Sequence, residues 1–256
     1  MTEIVVISRL VPDLVEELEI APSGKALDMA WLRLIINEFD NHAIEQAIIL
    51  KEKFGATVTV ISPEAEGVED MLFTTAAKGA DRLIKLIGLD EEEKPTNKSL
   101  AQTLVNLIKE IGPDLILTGV QAHDDLTGDL GPQIADLLEM PYVGYISGVT
   151  LDGSQAKAFK EYPGGLLAEM EIKLPAFLGI QASEEPPRYV AISKVRQMMG
   201  TANIEELEVG ELDTEGDFII DRMYIPEAAE KAEMLEGSEE EVATQLASIL
   251  QDLGLL

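Results

Sequence analysis

The chain contains no cysteine, which excludes disulfides, thiol catalysis and cysteine-ligated iron–sulfur clusters and gives no sign of an oxidising compartment. Cations are scarce too: 19 Lys and Arg stand against 48 Asp and Glu, a formal net charge of −29. Nucleic-acid binding relies on neutralising phosphates with Lys and Arg, and anionic membrane surfaces attract polybasic segments. A chain this acidic suits neither. About half of the negative excess lies after Thr201, where the carboxylates serve first as solubilising, mutually repelling charge. No stretch approaches the ~20 apolar residues of a membrane-spanning helix. The start, Glu3 followed by a short apolar run, is unlike a secretory leader, so a soluble cytoplasmic protein is expected.

The two histidines, His42 and His123, supply no Cys/His cluster, no HExxH pair and no triad. Neither GxxxxGK[ST] nor GxGxxG occurs, which disfavours Walker-type ATP hydrolysis and the usual NAD fingerprint.

What the chain has is apolar mass. Of its 256 residues 46% are hydrophobic, enough for one large α/β domain with or without a subsidiary lobe. Residues 4–7 are a β-branched run of the kind buried on both faces of a parallel sheet. Asp40 or Asn41 can cap a helix running to about Phe54, which Gly55 stops. Strand-like 57–61, helix-like 68–78, strand-like 82–86, helix-like 96–111 and strand-like 114–117 then alternate. Such alternation predicts βαβ units, a parallel sheet between helical layers, and a ligand site outside the carboxyl ends of the strands where their order reverses. The connections 8–13, 62–63 and 119–132 are candidates to line that site.

The most informative of these is 119–132. It follows the apolar run 115–117 and leads into a helix pattern at Ile134, Leu137 and Leu138, so free N–H groups and the positive end of a helix dipole face an anion such as a nucleotide phosphate. Arg9 either pairs with that phosphate as a fork or sits on the surface. Asn37 suits an adenine edge or ribose hydroxyl, or else caps the helix that follows. Asp124, Asp125 and Asp129 are either a magnesium site or ordinary turn and capping residues. For His123 a hydrogen-bonding or exposed role is expected over catalysis.

From 142 to 180, short β-like runs with glycine turns predict an antiparallel extension. Pro186-Pro187 marks a loop. From about Ala202 the chain is largely an acidic arm ending in a helix from Ser238 to about Leu253, with a Ser238/Glu241 capping box and an apolar stripe at Val242, Leu246, Ile249 and Leu250. That stripe packs either on its own domain or on a partner chain.

Taken in order, these pieces resemble the beta subunit of electron transfer flavoproteins. The family's VKxVPD-like loop corresponds to Ile7-Ser8-Arg9-Leu10-Val11-Pro12-Asp13, and its NPFDxxAxExAxxLKE-like helix to the stretch from Asn37 to Glu52. Gly79-Ala80-Asp81 matches its GAD turn, Gly119-Val120-Gln121-Ala122-His123-Asp124 its GxQAxD, Leu174-Pro175-Ala176 its LPA and Pro187-Arg188-Tyr189 its PRY. The resemblance covers roughly residues 1–200. It implies an α/β, three-layer, Rossmann-like adenine-nucleotide-binding domain over 1–200, with a β extension at 142–181 and a partner-recognition loop and helix at 184–199. The acidic arm at 201–256 would brace the alpha subunit, whose own domain carries the electron-transferring FAD.

In ordinary members of that family the beta subunit holds a structural AMP; in electron-bifurcating members the same pocket holds a second FAD that accepts hydride from NADH. The matching cofactor-binding positions here are Ser8, Arg9, Leu10, Asn37, Asp40, Ile61, Ser62, Pro63, Gly119, Asp124, Thr127, Gly128, Asp129, Leu130 and Gly131. Several depart from the pattern. Asp129 stands where the family commonly has glutamine, and a carboxylate there repels a phosphate unless it is turned away or paired. Ser62 replaces a glycine and Ser8 a lysine, while Thr127 with Gly131-Pro132 is closer to the bifurcating pattern. Ile192 falls where the family places an apolar anchor for partners of acyl-CoA dehydrogenase type, with Val195 beside it; core packing is the alternative for Ile192. Arg196-Gln197-Met198-Met199 replaces the family's lysine-rich stretch. Two other functional classes stay open: a bifurcating subunit oxidising NADH, and a universal-stress-type regulatory module, which predicts a glycine-rich phosphate loop that this sequence does not contain.

Overall fold

A computed structural model describes residues 2–89, 95–125, 127–210, 212, 216, 218–226, 232 and 234–256. Its centre is a seven-stranded parallel sheet built from β1 (Glu3–Ile7), β4 (Thr57–Pro63), β5 (Arg82–Ile87), β6 (Leu115–Gly119), β7 (Tyr142–Ile146), β11 (Ala176–Ile180) and β12 (Ile204–Glu208). The order is β12-β5-β4-β1-β6-β11-β7. The chain moves outward from β1 through β4 to β5, then returns to place β6 on the other side of β1, so the order reverses between β1 and β6.

Alternation along β1 explains the layering, because successive strand residues face opposite sides of a sheet. Ile4 and Val6 pack with Ala43, Ile44, Ala47 and Ile48 of α1 (Glu38–Phe54) and with Leu72 of α2 (Val68–Lys78). Val5 and Ile7 pack with Leu100, Leu104 and Ile108 of α3 (Asn97–Ile111) and Ile134 of α4 (Leu130–Leu137). Each fully buried aliphatic side chain contributes roughly 1.5–3 kcal/mol. The three-layer α/β expectation holds.

Helix ends follow local chemistry. Gly55 takes the left-handed conformation that stops α1, with φ 73°. The Thr96 side chain accepts from Ser99 N at the start of α3. In α6 (Glu239–Asp252) the Ser238/Glu241 capping box is formed in both directions. α1 departs from expectation: it starts at Glu38 with Asn37 in the capping position, and neither Asn37 nor Asp40 caps it, because both side chains are drawn to neighbouring loops.

The antiparallel part is also narrower than 142–180. Only β8 (Val149–Asp152), β9 (Gln155–Tyr162) and β10 (Leu166–Lys173) form it, in the order β10-β9-β8. β7 and β11 belong to the parallel sheet; β11 is buried throughout, as a central parallel strand must be. β12 likewise joins the sheet edge beside β5, fastened by Arg82, whose Nε and Nη2 donate to the two oxygens of Glu205 at 2.8 and 2.7 Å. No residue of α6 is buried: of its stripe Leu246 and Ile249 are exposed, while Val242 and Leu250 are half-buried. Among the described residues no helix is long and apolar enough to cross a membrane.

Candidate functional site

At the reversal point the ends of β1 and β6 are held together by the first turn of α1. The Asp40 carboxylate is fully buried. It accepts from Arg9 N at 2.9 Å and from Gly119 N at 2.8 Å, bridging the loop after β1 to the end of β6. Burial pushes the Asp40 carboxyl above its ordinary range, opposed by the Arg9 charge and by those two N–H groups. A Cβ on Gly119 would lie 2.5 Å from Asp40 Oδ1 and 2.7 Å from Asp40 N, so only glycine fits. Asn37, also buried, donates from Nδ2 to Gln121 O at 3.0 Å, while its own N–H donates to Arg9 O.

Ser8 and Ser62 are fully buried, and so is Ile61, whose carbonyl accepts from Ser8 N. Pro63 is half-buried, and Leu10 opens β2 (Leu10–Pro12), paired antiparallel with β3 (Leu34–Ile36). These positions shape the rim through their backbones. His123 Nε2 donates to Pro12 O at 2.6 Å, since a carbonyl can only accept. That ties the 119–131 loop to β2.

The polar face of the rim is organised by a residue that sequence reasoning missed, Asn97 at the start of α3. Its Nδ2 lies 2.8 Å from both Asp125 Oδ2 and Asp129 Oδ1, and its Oδ1 accepts from Arg9 Nη1 at 3.2 Å. Asp125 Oδ1 accepts from Thr127 N and Gly128 N at 3.0 Å each, and Asp125 Oδ2 is 3.6 Å from Arg9 Nη2. Asp129 also accepts from Thr127 Oγ1 at 2.5 Å and from Gln133 Nε2 at 2.7 Å. Burial raises the Asp125 carboxyl, but hydrogen bonds from Asn97, Gly128 and Thr127 with the Arg9 charge outweigh it and leave it below the ordinary range. Asp129 is lowered in the same way, burial being outweighed by Thr127, Asn97 and Gln133. Both therefore stay ionised at neutral pH. Asp124 is half-buried, Thr127 exposed, and Leu130 buried as the first residue of α4. A Cβ on Gly131 would meet Tyr142 Cε2 at 2.9 Å. Among the described residues no grouping of three or more His, Cys, Asp or Glu is arranged to hold a metal ion.

Whether an adenine nucleotide fits turns on charge. Arg9 Nε is buried and, among the described residues, has no hydrogen-bond partner, an unsatisfied donor that a ligand oxygen would satisfy. The Asp129 carboxylate accepts from three neutral donors, Asn97, Thr127 and Gln133. At the rim, the Arg9 guanidinium stands against the ionised carboxylates of Asp125 and Asp129.

The second expected site lies elsewhere. α5 (Ile192–Thr201) buries none of its residues, and Ile192 is 65% exposed, so it does not pack in the core. Val195 is half-buried. With Asp70 and Thr74 of α2, Tyr189, Ile192, Val195 and Met199 line a groove of about 470 Å³.

Comparison with known proteins agrees along most of the chain. A family description, electron transfer flavoprotein domain, matches residues 30–212. The chain is 30% identical over 242 residues to an electron transfer flavoprotein subunit beta of Bacillus subtilis, covering 92% of this chain and 93% of that one. It is 35% identical over 173 residues to the subunit of that name from Syntrophomonas wolfei, covering 67% of each, and 26% identical over 253 residues to that of Sus scrofa, covering 98% and 97%.

Proposed function

The chain belongs to the electron transfer flavoprotein beta-subunit family, and on that premise we propose that it works in the cytoplasm as one half of a heterodimer with an alpha subunit. FAD, carried by the alpha subunit, supplies the redox chemistry. This chain contributes a nucleotide-holding rim and a docking element for a dehydrogenase of acyl-CoA dehydrogenase type. The carrying observation is the convergence of Arg9, Asn37, Asp40, Asn97 and the 119–131 loop at the strand-order reversal, where open α/β sheets bind ligands. In this reading Arg9 Nε and the N-terminus of α4 hold the phosphate, and the half-buried backbone rim of Leu10, Pro63 and Asp124 lines the rest of the nucleotide.

The nucleotide is AMP in this reading. A second FAD, with NADH as hydride donor, is the other reading, supported by Thr127 and Gly131-Pro132 in the loop. Co-expression with the alpha subunit, denaturation and identification of the released nucleotides separates them. One FAD with one AMP supports the carrier, and two FADs support the bifurcating subunit. A homodimer that releases ATP contradicts both.

A further inference from the structure

α5 buries none of its residues, yet both of its flanks are pinned by forked arginine–carboxylate pairs. After it, β12 is fastened by Arg82 to Glu205. Before it, the segment 183–188 lies across one stripe of α1 formed by His42, Glu45, Gln46, Glu52 and Lys53, residues spaced three, four and seven apart and hence on one side of a helix. Ser183 N donates to His42 Nδ1 at 3.2 Å, and Glu184 N to Gln46 Oε1 at 3.1 Å. Lys53 Nζ pairs with Glu184 at 2.5 Å. Arg188 closes the segment: its N and Nε donate to the two oxygens of Glu45 at 2.9 and 2.8 Å, and its Nη1 and Nη2 to those of Glu52 at 2.5 and 3.0 Å. The Glu45 side chain is only 3% exposed, so it needs this partner. Four directed bonds fix Arg188 in one geometry, four residues before Ile192.

From this geometry we infer that Arg188 is a positioning residue for partner docking: clamped by Glu45 and Glu52, it holds Tyr189 and α5 in the orientation that a partner meets. A small transient interface gains most when its elements are ordered before contact, because the ordering cost is not then taken from binding. Lysine cannot reproduce the fork, although it keeps the charge. The inference rests on the docking role proposed above for Ile192 and Val195.

The test uses the intact heterodimer as electron acceptor, with a purified acyl-CoA dehydrogenase and its acyl-CoA substrate as donor. In R188K, KM for the heterodimer is expected to rise about tenfold with kcat unchanged. Amide hydrogen exchange across 189–201 should accelerate while FAD content and the core amides stay as in the wild type. E52Q, altered at the exposed end of the clamp, should shift KM in the same direction by about threefold and guards against a folding defect in R188K. I192D is the reference. If I192D raises KM but R188K and E52Q leave both KM and exchange unchanged, the clamp is not a positioning device and this inference is overturned. If I192D leaves KM unchanged, or the wild type accepts no electrons from the dehydrogenase, the docking role itself fails and the inference with it.

Discussion

The rim and the terminal helix employ carboxylates in opposite ways. Asp40, Asp125 and Asp129 each accept two or more hydrogen bonds from groups on other elements or from the loop itself, so each carboxylate fixes the path of a chain segment. Glu239, Glu240 and Glu241 lie in the first turn of α6, where they complement its dipole and face solvent. A net charge of −29 is therefore two populations. A few carboxylates are architectural, and many serve solubility. The comparison teaches that burial and donor count decide whether an acidic residue shapes a site.

The largest expected effect comes from breaking the architectural set. Gly119→Ala forces a Cβ into Asp40 and should destabilise the domain by about 3 kcal/mol in urea unfolding. A loss below ~0.5 kcal/mol means that Asp40 and β6 separate easily. Next, Asp129→Gln keeps hydrogen-bonding capacity while removing the opposing charge, and should tighten nucleotide retention about tenfold, read by the fraction kept through dialysis of the heterodimer. Equal or weaker retention places the phosphate away from Asp129.

A pH effect follows from His42. Burial holds its imidazole below the ordinary histidine value, aided by Lys78 and opposed by Glu38 and Glu45. A base lowered on folding contributes stability that is present above its unfolded pKa, ~6.5, and lost as pH falls through the lower folded value. Protonation also makes Nδ1 a donor and breaks the bond from Ser183 N. Thermal midpoints should fall between pH 6.5 and 5, and His42→Gln should flatten that limb. A variant that melts with the wild-type pH profile rules the histidine out.

The smallest effect is expected from deleting 238–256. Since no residue of α6 is buried, the isolated chain should lose less than ~0.5 kcal/mol, whereas its affinity for the alpha subunit should drop. An unaltered heterodimer would show that the helix braces nothing.

How far the sequence carried depends on the range of the interactions. β1, β4, β5 and β6 were legible because apolar runs buried on two faces leave a local signature, and Gly55, Thr96 and Ser238 marked helix ends because capping is settled within four residues. β7 and β11 were misread because glycine turns around them suggested a meander, while their sheet partners are set by tertiary packing. Asn97 carried no local signal, as its partners stand 28 to 88 residues away, and the Glu45–Arg188 clamp spans 143 residues. The 119–131 loop, Arg9 and Asn37 were legible from strand–turn–helix order and side-chain chemistry, and Asp40 from family pattern, but their mutually bonded arrangement emerged only from the fold.

The most direct test of the central claim is a crystal structure of the heterodimer purified with its bound cofactors. The account predicts a nucleotide phosphate at the rim between β1 and β6, within hydrogen-bonding distance of Arg9 Nε and the first turn of α4. A rim closed by its own side chains in such crystals, with Arg9 Nε satisfied by a protein acceptor, contradicts it.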